Sequence, residues 1–201
     1  MNAIRTASPP VIDGNLDDEV WSNAVVLDDF IQYEPYNLKA PSVETEVRVL
    51  YDDDYVYIAF QNFDPDPSSI MDRMSRRDDF EAIETNVDWV GFGIDSNNDD
   101  MTGNWFMLTA AEVQLDVSIN ESGGWRDKYD ISWNAVWDGK TQIHSEGWSA
   151  EVRVPFNVFQ FSKNDIQTWG GTFQRGYFKD HEQIHWPRRS KGVKNTVPYY
   201  G

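Results

Sequence analysis

Cysteine is absent from the 201 residues, so the chain has neither disulfides nor a thiolate nucleophile. That absence fits either side of a membrane. No apolar run approaches the roughly 18 residues of a membrane helix. Residues 1–10 also lack the apolar core of a signal peptide, so if the parent protein is exported its leader has been removed from this chain. Basic residues are scarce: 17 Lys and Arg face 34 Asp and Glu, a formal net charge of −17. A nucleic acid would meet long-range repulsion, which demotes DNA and RNA as partners. The one basic cluster, Arg188, Arg189, Lys191 and Lys194, reads as a solvated tail beside a partner domain. Catalytic signatures are missing too. There is no Gly-x-Ser-x-Gly elbow and no phosphate-binding glycine loop, and acidic residues are so abundant that no carboxylate pair stands out as a glycosidase pair.

What is present is apolar and aromatic: 40% hydrophobic residues, 14% Phe, Trp and Tyr, enough for one domain with a core of its own. Its pattern is the two-residue period of strands. Over 45–51, Val47, Val49 and Tyr51 share one face and Glu46, Arg48 and Leu50 the other. Asp52, Asp53 and Asp54 turn the chain, and over 55–63 Tyr55, Tyr57, Ala59 and Gln61 alternate with Val56, Ile58, Phe60 and Asn62, completing an antiparallel hairpin. Further strands are expected over 87–95, 105–110, 112–119, 132–137, 147–154, 168–178 and 183–186. A short helix over 13–21, N-capped by Asp13 or Asn15, should turn Leu16, Val20 and Trp21 inward. Pro155 should open a helical turn reaching Phe161. Residues 30–41 read as a loop, and 69–79 as a strand or short helix with Ile70, Met71 and Met74 inward. Strands at this spacing predict one all-β, antiparallel β-sandwich over 1–201 with one or two short helices.

The runs 11–21 (VIDGNLDDEVW), 46–59 (EVRVLYDDDYVYIA), 88–95 (DWVGFGID) and 146–155 (EGWSAEVRVP) resemble the family 9 carbohydrate-binding modules. The likeness extends over about residues 4–186. More narrowly, Arg76-Arg77-Asp78-Asp79, 132–137 (SWNAVW) and 167–170 (QTWG) resemble the branch that precedes a bacterial outer-membrane β-barrel of unknown function. The resemblance implies a non-catalytic carbohydrate-binding module excised from a longer exported protein, in the periplasm, outer membrane or extracellular space. Its partners would be a polysaccharide or oligosaccharide and a C-terminal barrel. The alternative is an accessory domain that packs on that barrel or another protein and binds no sugar.

Sugar recognition needs flat aromatic faces framed by groups that hydrogen-bond hydroxyls. Trp21, Trp89, Trp133, Trp137, Trp148 and Trp169 lie beside aliphatic neighbours and read as core. The surface candidates are Trp125 on the 121–126 glycine loop, Trp105 beside an acidic turn, Trp186, and the Tyr33/Tyr36 and Phe80 loops. Members of the resembled family grip a sugar between two tryptophans. At the matching places this chain has Glu84-Thr85-Asn86 and Arg188-Arg189-Ser190-Lys191, so both halves of that clamp are missing. The residues expected at a sugar site are Trp125, Arg126, Trp186 and Phe80.

Two metal readings arise. The 95–100 turn offers Asp95, Asn97 and Asp99 as oxygen donors, the chemistry calcium prefers, and the resemblance also implies structural calcium; the bland alternative is a solvated Asx turn. His181-Glu182-Gln183-Ile184-His185 fits the zinc-protease pattern, but that chemistry needs a helix. On the strand expected here the two histidines stand about 13 Å apart, so no zinc is expected.

Overall fold

The computed structural model describes residues 2–124, 127–191, 196–197 and 200, with Thr85 as backbone only. The expected hairpin forms at the expected boundaries, β3 (Thr45–Tyr51) against β4 (Tyr55–Phe63), with Val47 opposite Phe60 and Val49 opposite Ile58. β10 (Gly147–Pro155) continues the sheet antiparallel to β4. β9 (Asp138–His144) closes one edge, and β1 (Ile4–Arg5) pairs parallel to β3 at the other. The order of this five-stranded sheet is β1-β3-β4-β10-β9.

The second sheet has seven strands in the order β2-β12-β11-β5-β6-β7-β8, each pair antiparallel. Its members are β2 (Ile31–Glu34), β5 (Trp89–Asp95), β6 (Thr102–Thr109), β7 (Gln114–Asn120), β8 (Tyr129–Asp130), β11 (Gly170–Tyr177) and β12 (Glu182–Trp186). Between the sheets, Val47, Ile58, Phe60, Val90, Phe92, Phe106, Trp148, Val152, Phe173 and Ile184 form the main core. Each such side chain, taken fully out of water, contributes about 1.5–3 kcal/mol.

Both sheets are also covered on their outer faces, which decides where a ligand can reach. On the five-stranded sheet, Trp21 and Ala24 cover Leu50, Tyr57 and Ala59. On the seven-stranded sheet, Ile83 from α1 (Phe80–Asn86), together with Val197 and Tyr200, packs on Trp89, Met107, Leu115, Val117 and Ile119. Every residue of β5 is consequently buried.

Several local expectations are corrected. The helix expected over 13–21 is a 3-10 turn, Glu19–Asn23; Trp21 is buried, while Leu16 and Val20 are half-buried against it. Gly14, at φ +93°, bends the preceding chain onto β9. Residues 132–137 are irregular rather than a strand, because the buried Asp116 carboxylate takes up Ala135 N–H at 2.8 Å and the Trp137 indole N–H at 3.2 Å, with Arg77 also paired to it. Residues 69–79 hold neither strand nor helix beyond the end of a 3-10 turn, Pro67–Ser69; Ile70 is buried but Met74 is 73% exposed. The 30–41 segment contains β2. After Pro155 the helical turn spans only Phe156–Val158. α1 was not foreseen; the Asp79 side chain caps it by accepting Ala82 N–H at 3.2 Å.

Candidate functional site: an aromatic groove on the outer sheet face

Strand register places Gly91 and Gly93 of β5, Trp105 of β6, Thr172 and Gln174 of β11, and Gln183 and His185 of β12 on the outer face of the seven-stranded sheet. There Gly93 lies opposite both Trp105 and Thr172, and Gln174 opposite both Gly91 and His185. The two glycines let rings lie against the backbone. A Cβ on Gly91 would stand 3.3 Å from the Trp105 indole nitrogen, and one on Gly93 would overlap the Tyr200 ring.

Trp105 is half-buried, edge-on to Trp89 at 6.3 Å and 6.1 Å from Phe80, which stands at the start of α1 and is 39% exposed. Across the floor, Tyr33 stacks on His185 with ring centres 4.5 Å apart and planes 16° from parallel. Arg189 and Lys191 sit over Tyr33 at 5.3 and 5.7 Å, and Lys191 also pairs with Glu34. Four segments distant in sequence thus supply two aromatic pairs to one sheet, Tyr33–His185 from β2 and β12 and Phe80–Trp105 from α1 and β6, with β11 and β5 between them.

Polar groups on this face are sparsely satisfied. The Trp105 indole N–H, both ring nitrogens of His185 and the Tyr200 hydroxyl are buried without a hydrogen-bond partner among the described residues. Such groups are costly to leave unmet. Burial, with the Arg189 charge adding to it, pushes the His185 pKa down to about 3, so the ring is a neutral donor and acceptor at ordinary pH. Burial also raises the Glu84 carboxyl above the usual carboxylate range, against an opposing hydrogen bond from Gln183. The face therefore presents aromatic planes, with the Gln174 amide and the neutral His185 imidazole buried beneath its surface.

Of the residues expected at a sugar site, Phe80 borders this groove. Trp186 alternates to the other side of β12: it lies opposite Phe173, with ring centres 5.8 Å apart, and packs against the core between the sheets. Trp125 and Arg126 lie outside the described residues. Trp105 and Tyr33 are surface aromatics that the sequence singles out without joining them. The roles of His185, Gln174 and Gln183 depend on register, for which the sequence has no local signal.

The 95–100 turn uses its own donors. Asp99 accepts Met101 N–H at 2.8 Å and Thr102 N–H at 2.7 Å on one oxygen and the Thr102 hydroxyl at 2.9 Å on the other. Burial opposes ionisation of Asp99, but these bonds outweigh it and hold its pKa below the ordinary value. Asn97 donates to Thr102 at 3.2 Å. Asp95 accepts Asp100 N–H at 2.9 Å, leaving only its other oxygen, buried, without a partner. No group of three or more His, Asp or Glu side chains converges among the described residues. Asp95, Asn97 and Asp99 close an Asx turn with their own hydrogen bonds, and uptake of calcium by this turn would show as a gain in stability. The histidine pair is not on a helix: His181 occupies an exposed left-handed position at φ 50° after a 3-10 turn, and His185 lies in β12.

Similarity to known proteins agrees with this architecture. A family 9 carbohydrate-binding module from Caldicellulosiruptor kristjanssonii in complex with glucose superposes with a TM-score of 0.68 at 18% identity, covering 100% of this chain and 93% of that one. A cellotriose complex of a family 9 module from the same organism gives 0.61 at 19% identity, covering 92% and 83%. A Bacteroides uniformis protein described as a putative carbohydrate-binding protein gives 0.73 at 10% identity, covering 99% and 95%. No curated protein matches the chain. Residues 12–173 match the family described as carbohydrate family 9 binding domain-like, and the chain belongs to that family.

Proposed function

We propose that this chain is a non-catalytic carbohydrate-binding module that takes a glycan on the outer face of its seven-stranded sheet, against Trp105 and Phe80 and beside the Tyr33–His185 pair. The observation that carries the reading is the Trp105 indole, half-exposed and bordered by an exposed phenylalanine, with its N–H unpartnered on a face that is otherwise sealed. Aromatic planes suit the apolar faces of pyranose rings, and the half-buried Gln183 amide beside Glu84 suits hydroxyls. The family supports this class of ligand, as do the glucose and cellotriose complexes of its structural neighbours. Titration with gluco-, xylo-, manno- and galacto-oligosaccharides, followed by tryptophan emission, tests it: saturable change is expected, lost in Trp105→Ala. A flat response across all four series would refute it.

A second reading, an accessory domain that packs on a barrel or partner protein without binding sugar, is favoured by Tyr200, whose ring already fills the space over Gly93 and Gly103. The same titration separates the two. Export of the parent protein to the periplasm, outer membrane or cell exterior, with a C-terminal barrel, is the setting we propose, on the strength of the 76–79, 132–137 and 167–170 runs. Among the described residues no helix is long and apolar enough to cross a membrane. Cell fractionation with an antibody to this domain checks the location; recovery in the cytosol would overturn it.

A further inference from the structure

The segment joining β10 to β11 builds a second aromatic surface, from residues other than those of the first site. Phe156, Phe159, Phe161 and Trp169 form one cluster: Phe161 lies 5.3 Å from Trp169 and 6.0 Å from Phe156, and Trp169 lies 5.4 Å from Phe159. Phe159 is buried and anchors the cluster to the core, whereas Phe161 is 40% exposed. Phe156, Phe159 and Phe161, backed by Trp169, floor an open depression of about 630 Å³ whose rim carries Asn157, Gln160, Lys163, Asn164 and Gln167.

Three features set this cup apart from an ordinary loop. Gln167 is spent holding the rim closed, donating to the Ser162 carbonyl at 2.8 Å, and Ser96 ties the loop to the end of β5 by donating to the Gln160 carbonyl at 2.6 Å. The Asn157, Gln160 and Asn164 side chains are exposed and engage no other described residue, so each presents a donor and an acceptor outward. The Trp169 indole N–H is buried without a hydrogen-bond partner among the described residues. The lining carries four amides and a single charged side chain, Lys163, with no carboxylate, on a chain of net charge −17. A cationic partner would be drawn to the acidic remainder of the surface. A neutral ligand with a flat apolar face and many hydroxyls matches this one.

We infer that the 156–169 cup is a second binding site, for a neutral pyranose unit of a glycan, with Phe161 as the stacking face and Asn157 and Asn164 as the hydroxyl partners. It extends the proposed function to a second place and shares no residue with the groove. The test is calorimetric titration of the 201-residue chain with tetrasaccharides of the gluco-, xylo-, manno- and galacto-series, using Trp105→Ala, Phe161→Ala and Asn157→Ala/Asn164→Ala. The asparagine pair is fully on the surface and keeps the fold in view should Phe161→Ala loosen the loop. We expect two sites in the parent chain, one in Trp105→Ala, and at least tenfold weaker binding at the remaining site when either cup substitution is added. Binding abolished by Trp105→Ala and untouched by both cup variants would overturn the inference while leaving the groove standing. Binding untouched by Trp105→Ala but lost in the cup variants would overturn the groove and keep the inference. Absence of binding to all four series, or capture only of an apolar peptide by the cup, would overturn it.

Discussion

Replacing Glu151 with alanine should cost the domain about 3–5 kcal/mol, because this side chain fastens the N-terminal segment to the sandwich. Its carboxylate is fully buried in β10 and accepts three bonds: Asp13 N–H and Gly14 N–H at 3.0 Å on one oxygen and the Trp21 indole N–H at 2.8 Å on the other. Ser149, two residues earlier, donates to the Gly14 carbonyl at 2.6 Å. Removing the acceptor orphans three donors, each costing about 1–3 kcal/mol, offset in part by water entering the space. For a domain of this size that corresponds to a fall in Tm of roughly 10 °C. Glutamine keeps the volume and one accepting oxygen but turns an NH₂ toward N–H donors, so Glu151→Gln should lose about 1–2 kcal/mol. The pH dependence has a definite sign. Burial raises the Glu151 pKa, with the Trp21, Asp13 and Gly14 bonds opposing it, so the folded value lies above the unfolded one. Its contribution is full below the unfolded pKa and declines as pH rises through the folded value; the gap between parent and Glu151→Gln should therefore be widest in acid and narrow toward neutrality. Urea and thermal melts from pH 4 to pH 8 measure both effects. A Tm for Glu151→Ala within about 2 °C of the parent would refute the account of this anchor.

Trp105→Ala should weaken glycan binding about 10- to 100-fold, the range of a single aromatic anchor, while far-UV circular dichroism stays that of the parent; equal affinity in the two proteins would remove Trp105 from the site. His185, pushed down to about 3 by burial and then by Arg189, is held neutral in the fold, so its contribution is present above the unfolded value and lost as pH falls below it. Stability should decline by up to about 1.4 kcal/mol per pH unit below roughly pH 6.5 from this group, and His185→Gln should flatten that slope; an unchanged slope would show that the ring is hydrated in the native state. With Asp99 and Asn97 engaged in the 95–100 turn, calcium added to chelated protein should move Tm by less than about 1 °C, whereas a rise of several degrees would mean that the turn opens to ligate the ion.

Alternation alone placed the β3–β4 hairpin and β10, because a strand half in the core must write its pleat into its side chains; Val47, Val49, Ile58 and Phe60 face the core as the two-residue period requires. The same logic fails for 132–137, whose Trp137 and Ala135 are drawn to the Asp116 carboxylate instead of to a neighbouring strand. It fails also for the edge strand β9, whose largely polar DGKTQIH turns only Ile143 to the core and otherwise relies on the backbone ladder and polar contacts such as Asp138 with Arg153. α1 was hidden by its shortness, seven residues held by one cap and the burial of Ile83.

What the sequence by itself determined was an all-β chain with a tryptophan-rich interior, the family it belongs to, and the place of His185 on a strand, since these follow from local periodicity and contiguous runs. Which face each surface aromatic occupies was decided only by the tertiary structure. Both faces of the seven-stranded sheet are covered, so the period of β12 is equally satisfied with Trp186 inward and His185 outward or the reverse. Only the register of β12 against β11 turns His185 toward Tyr33 and sends Trp186 to Phe173. The site exists because the pairs 33–185 and 80–105 are brought to that one sheet from four separate segments, and no stretch of sequence contains that information.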